Sequence, residues 1–176
     1  MSAGIPGFGC IPYKGIKLDG EAMRKNIEIG IKAPDFTLVD VNGNEIHLLG
    51  YESKKIVLLL LIRGFAWPFF RRQQGQLREN YQEFLKRGVE VLIIDPDGPR
   101  AFKRYWEEEK MPFPGCADID SKVADTYQQE VNILKLGRMP AEIIIDRTGI
   151  IRYFHYGELM SDIPLIQQML EVIDTL

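Results

Sequence analysis

The sequence predicts an α/β domain, with a mixed central sheet flanked by helices and a β-hairpin at its N-terminal end. Three observations lead there. Ile56–Ile62, Val89–Ile94 and 142–145 are short, nearly continuous apolar runs, as expected for strands buried on both faces. The stretches between them carry apolar residues at helical spacing, which makes strand–helix–strand units and parallel pairing. The last run is followed by Asp146-Arg147-Thr148-Gly149 and then 150–156, a turn between two strands, so one pairing must be antiparallel.

Each element has its own signal. Phe36-Thr37-Leu38-Val39 and Glu45-Ile46-His47-Leu48-Leu49 read as short strands, and Asn42-Gly43 between them is a hairpin signal. From Arg71 to Arg87 the residues Leu77, Tyr81, Phe84 and Leu85 form a helical stripe that Gly88 can stop. Pro99–Lys110 carries Phe102, Tyr105 and Trp106 and must end before Pro112. Ser121 is the expected cap of a short helix with Val123, Ala124 and Tyr127. Ser161-Asp162-Ile163-Pro164 is expected to open the last helix, whose buried stripe is Leu165, Ile166, Met169, Leu170 and Ile173.

Residues 1–26 are rich in Gly and Pro and lack periodicity; they read as a loose arm ahead of one compact domain, 27–176. The chain has 176 residues, 45 % of them hydrophobic, enough for a core without disulfides or metal. A net charge of −3 leaves no footprint for nucleic acid and no polybasic membrane segment. The seven-residue apolar run is too short to span a bilayer, and the first nine residues lack the basic start and apolar stretch of a signal peptide. A cytoplasmic location is the default expectation.

The order of these elements, with several local phrases, resembles the alkyl hydroperoxide reductase/thiol-specific antioxidant family, the peroxiredoxins and their redoxin relatives. The phrases are Ala33-Pro34-Asp35-Phe36-Thr37-Leu38, Asn42-Gly43, Met111-Pro112-Phe113-Pro114 with Ala117-Asp118, and Pro140 followed by 142–146, Gly149 and Arg152-Tyr153. The resemblance implies a thioredoxin-like fold, thiol-dependent antioxidant or oxidoreductase chemistry without a cofactor, and a homodimer. It also implies a cis peptide bond at Met139–Pro140.

The same resemblance singles out Arg63-Gly64-Phe65-Ala66-Trp67-Pro68-Phe69-Phe70-Arg71-Arg72, where the redoxin branch would read Trp-Cys-Pro-x-Cys-Arg. Trp67 falls on the nucleophilic cysteine and Phe70 on the second. A helix N-terminus lowers a thiol's pKa, and Arg63, Arg71 and Arg72 would add positive potential. Trp and Phe can neither ionise there nor form a disulfide, so the ordinary mechanism is excluded for this sequence. The frame of Arg63, Gly64, Pro68, Arg71 and Pro140 remains. Gly64 stands where classical peroxiredoxins carry a Thr, and Pro140 near where they carry an Arg.

Three readings follow. The aromatic residues fill the old pocket; or they form an exposed face for a protein partner; or thiol chemistry has moved to Cys116, resolved by Cys10 or by a second subunit. A Cys10–Cys116 disulfide is conceivable, but no spacing supports it. His47 and His155 read as surface histidines, and no His, Cys and carboxylate cluster has metal-ligand spacing. Asp95, Asp97, Asp118 and Asp120 are best explained as turn and capping residues, with a paired acid and base as the sharper alternative.

Overall fold

A computed structural model describes residues 27–132, 134 and 137–176. The arm 1–26, with Cys10, lies outside the described residues.

The three apolar runs form the sheet. Strand β3 (Ile56–Leu61) lies at its centre and is buried along its whole length. Its Ile56, Leu58 and Leu60 join one core layer and its Val57, Leu59 and Leu61 another, as two-residue alternation requires. Each such side chain contributes about 1.5–3 kcal/mol on burial. On one flank β3 pairs in parallel with β4 (Val89–Asp95), and β4 in parallel with the edge strand β5 (Gly115–Ala117). On the other flank it pairs antiparallel with β8 (Ala141–Ile145), which pairs antiparallel with β9 (Ile151–Tyr156). The order is β5-β4-β3-β8-β9. The mixed sheet and its flanking helices are those the sequence predicts.

The parallel pairs need crossover helices. These are α1 (Pro68–Lys86) and α2 (Pro99–Glu108), each with Pro in its first turn. Both pack on one face, where Phe70, Leu77, Tyr81 and Phe84 meet Phe102, Tyr105 and Trp106. The sheet order steps outward in one direction, so a single crossover hand puts both helices on the same side. α4 (Ile166–Ile173) covers that face through Met169, Leu170 and Ile173. On the opposite face Ile27, Ile46, Leu48 and Tyr127 close the second layer.

The hairpin is formed by β1 (Thr37–Val39) and β2 (Glu45–His47). Asp40 holds its turn: one carboxylate oxygen accepts the N–H groups of Asn42 and Asn44, both at 2.8 Å. Gly43 has φ +87°, open to glycine at no steric cost. The turn docks on the sheet, Asp40 bridging Cys116 and the Val41 N–H donating to Gly115 O at 2.9 Å. At the other edge, Gly30 N–H donates to Ile151 O and Ala33 N–H to Gly149 O.

Several expectations are corrected. Leu48 and Leu49 leave the strand and enter a 3-10 turn, Leu48–Tyr51. The short helix α3 (Lys122–Thr126) is not capped by the Ser121 side chain: Ser121 has φ +57°, and Asp118 accepts the Ala124 N–H at 2.9 Å instead. Helix α4 starts at Ile166, not at Ser161. Asp162 accepts the Glu158 N–H and faces His155, closing a turn after β9, while Gln168 accepts the Leu165 N–H at 2.8 Å. No cis peptide bond occurs among the described residues, so Met139–Pro140 is trans. This bond continues an extended chain: the Met139 N–H donates to Glu130 O, and Pro140 O accepts from Gly157 N–H at 2.9 Å. The sequence did not announce β6 (Val131–Asn132) and β7 (Gly137–Arg138), a minimal antiparallel pair.

Candidate functional site

The site of interest lies where the chain leaves β3 and opens α1. Ile62 still bonds to the neighbouring strand, its N–H on Ile94 O at 2.9 Å. Arg63 follows, 9 % exposed, and Gly64 takes φ +147°. Trp67 is the N-cap of α1, Pro68 the first helical residue, and the Arg71 N–H donates to Trp67 O at 3.0 Å. A thiolate at the N-cap would accept free helical N–H groups and be stabilised by the dipole. An indole has no acceptor, and no side chain caps α1.

Trp67 instead covers Arg63. The guanidinium carbon lies 3.8 Å from the indole centroid, a cation–π contact. The same guanidinium reaches Met160 Sδ at 2.6 Å, and Gly137 approaches it from β7. Phe70, 1 % exposed, is part of the core, whereas Phe69 is 48 % exposed on the first turn of α1. Of the aromatic residues here, Phe70 therefore fills space, Trp67 is half-buried over a cation, and Phe69 faces outward. Arg71 pairs with Glu109 at 3.0 Å and lies over the Tyr105 ring.

Pro140 is near this segment by register, since Ala141 pairs with Leu61. A residue that sequence reading missed ties the two together. The buried Gln129 side-chain amide donates to Leu61 O at 2.9 Å, Ile62 O at 3.2 Å and Met139 O at 2.9 Å. Its sequence neighbours, Gln128 and Glu130, are polar, so no local signal marks it.

Two buried carboxyls stand beside the site. Asp95, at the end of β4, has no exposed surface; its Oδ1 accepts the Asp97 N–H at 2.6 Å. Burial and the nearby Asp97 raise it above the carboxylate range. Asp97 Oδ2 accepts the Phe65 N–H at 3.2 Å. Glu142, in β8, is 1 % exposed and pushed up to about 8, chiefly by burial. Gln73 Nε2 donates to its Oε1 at 3.0 Å, while Gln73 Oε1 and Glu142 Oε2 are both buried without a hydrogen-bond partner. One proton on Glu142 Oε2 matches both orphan atoms, since it makes a donor for an amide oxygen. Sequence reading took residue 142 as one more strand position.

Cys116 sits in β5 with no exposed surface and is not in a disulfide. Burial, then Asp40, pushes its thiol up to about 12. A reactive cysteine needs an accessible, low-pKa thiol, so the geometry runs against the relocated-thiol reading. The histidines are engaged: His47 faces Asp35 at 2.8 Å and His155 faces Asp162 at 3.1 Å. No group of three His, Cys or acidic residues that could hold a metal occurs among the described residues. No helix among them is long and apolar enough to cross a membrane. A groove of about 470 Å³ opens between β1 and α3, lined by Phe36, Leu38, Ile119 and Val123 among others, but no residue of 63–72 lines it.

Comparison with known proteins bears on the site. The AhpC/TSA family model matches residues 29–154. The chloroplastic peroxiredoxin Q of Oryza sativa subsp. japonica is 24 % identical over 149 residues, 84 % of this chain and 67 % of that protein. The thiol-disulfide oxidoreductase ResA of Bacillus cereus is 27 % identical over 138 residues, 78 % of this chain and 72 % of that protein. Among solved structures, the peroxidoxin BcpB of Mycobacterium tuberculosis superposes with a TM-score of 0.75 at 18 % identity, covering 85 % of this chain and 98 % of that one. The reduced 2-Cys peroxiredoxin of Plasmodium vivax gives 0.74 at 19 %, covering 84 % and 94 %. At these identities the structural matches speak to the fold.

Proposed function

The chain belongs to the AhpC/TSA family, and from that premise we propose that it is a peroxiredoxin-like protein without ordinary thiol peroxidase activity, acting by binding a protein partner at the Trp67 face. One observation carries the reading: the N-cap of α1, where a nucleophilic thiolate would be stabilised, holds an indole stacked on Arg63. The packing of Phe70 in the core supports loss of the second thiol position. The burial of Cys116 speaks against rescue from β5. Phe69 on the first helical turn, and Leu159 beside the Met160 that touches Arg63, leave apolar surface around Trp67 for a partner or a second copy. A cytoplasmic place of action is part of the proposal and rests on the sequence.

The test is hydrogen peroxide consumption with dithiothreitol as reductant. Wild type, Cys116→Ser and the double variant Cys10→Ser/Cys116→Ser are compared with Trp67→Cys/Phe70→Cys. The proposal expects background rates from the first three and turnover from the last. Wild-type turnover abolished by either serine substitution would overturn it and return the chain to thiol chemistry.

A further inference from the structure

The groove between β1 and α3 has an apolar floor and an open strand edge for a wall. Phe36, Leu38 and Val123 on its lining belong to the second core layer, on the face of the sheet opposite α1, whereas Ile119 is 62 % exposed. The Asp40 N–H donates to Asn44 O and the Leu48 N–H to Phe36 O, so Phe36, Leu38 and Asp40 turn their backbone groups toward β2. The N–H and C=O of Thr37 then point the other way, and Thr37 lines the groove. Among the described residues β5 meets that edge at the Asp40–Cys116 bridge and does not continue alongside Thr37. An open edge beside apolar side chains can take an added strand: the edge supplies main-chain hydrogen bonds and the floor takes alternate side chains. The charges on the lining are Asp35, Asp118 and Asp120 against Lys122. Asp120 pairs with Lys122 at 3.2 Å and Asp35 faces the His47 imidazole, so the lining keeps a negative balance.

We propose that this groove takes Tyr13–Leu18 of the same chain as an added strand along Thr37. Chemistry and position select that segment. Ile16 and Leu18 stand two residues apart, the spacing at which an extended strand sends side chains to one face. Lys14 and Lys17 give the segment two positive charges, and it holds no acid. Ile27, where the described chain begins, is buried in the same core layer as the groove floor, so the residues before it enter from the groove's side of the sheet. Gly30 then bonds to β9, at the edge of the sheet away from β5. Four strand spacings, about 19 Å, separate those edges. The nine steps of chain from Leu18 to Ile27 reach about 30 Å, enough to cross.

A tether this short holds the segment at roughly millimolar effective concentration, so it outcompetes the same segment of a second copy. The docked strand closes the edge of β1, covers Ile119 and sets Lys14 and Lys17 against the acidic lining. The groove is separate from the Trp67 face, since no residue of 63–72 lines it. The docking therefore goes beyond the binding proposal and does not depend on it.

The experiment places a nitroxide spin label on Cys10 of the full chain, Cys116 being buried and out of reach of the reagent. In the isotope-labelled protein, the amide signals of Thr37, Ile119 and Lys122 should lose most of their intensity. Those of Glu83 and Lys86, at the end of α1 across the sheet, should keep it. A mixture of spin-labelled and isotope-labelled chains reads contacts between copies and should show no such loss. Ile119→Arg, a change at an exposed position, removes apolar contact and sets a cation against Lys14 and Lys17; it should restore the groove signals. A second readout needs no label: a lysine-specific protease should cut after Lys14 and Lys17 several-fold faster in Ile119→Arg than in wild type. Groove signals untouched by the label, together with equal cleavage in the two proteins, would overturn the proposal. So would signal loss confined to the mixture, which would assign the groove to a second copy.

Discussion

Replacing Glu142 by Gln should make the protein more stable, by an amount that depends on pH. The wild-type carboxyl titrates near 8 in the folded state, against an ordinary value of 4.5. Between these two values the native chain holds a proton that the unfolded chain has released. Unfolding therefore becomes easier as pH rises, by about 1.4 kcal/mol per pH unit, from about 4.5 until the folded carboxyl itself ionises near 8. The full difference is about 5 kcal/mol as an upper bound, since water entry and relaxation at a buried carboxylate reduce it. Glu142→Gln removes this dependence. Its amide can also pair head-on with the Gln73 amide and so satisfy the two atoms that an ionised Glu142 leaves orphaned. Urea unfolding of both proteins at pH 5, 7 and 9 measures the effect. The two should be nearly equal at pH 5, the variant should lead clearly at pH 7, and the gap should stop growing above about pH 8. A gap that is flat across the three pH values would refute the reasoning, because it would show that Glu142 is ionised, or equally protonated, in both states.

Other perturbations read other parts of the site. Phe70→Ala empties a fully buried position in the α1 core and should cost about 3–5 kcal/mol in chemical denaturation. Gln129→Ala takes a donor from three buried carbonyls and should cost about 1–3 kcal/mol, with faster amide exchange where β3 meets Met139. Iodoacetamide should reach Cys116 only at the rate of local or global opening, so its alkylation should accelerate sharply with sub-denaturing urea; rapid reaction in the folded state would contradict the burial.

Much of this architecture was legible in the chain, and the exceptions share a cause. The buried runs and the Asn42-Gly43 turn are local signals, and they lead to the sheet and hairpin observed. The capping residues were harder, because a capping carboxylate reaches across a turn. Asp118 holds the α3 N-terminus from three residues ahead of Ser121, and Asp162 is drawn to His155 rather than to α4. The buried polar groups were harder still. Nothing local distinguishes Glu142 from a solvent-facing strand residue, and its environment exists only once α1 brings Gln73 over β8. For Asp95, Asp97, Asp118 and Asp120 the sequence offered turn and capping roles or an unspecified acid and base pair; burial at the end of β4 is what sets Asp95 apart from the others.

The stretch from Gly30 to Val41 touches both margins of the five-stranded sheet. It bonds to Gly149 in the turn and to Ile151 at the start of β9, then reaches across to Gly115 and Cys116 of β5. Unpaired strand margins are templates on which other chains can add. One short connection thus covers part of both margins, at the two ends of the sheet. A chain shortened to begin after Val41 would lose more than a hairpin: it would present two open strand margins at once, one at each end of the sheet. Such a molecule could recruit neighbours from both sides, and linear, propagating assemblies rather than closed dimers would be its characteristic failure.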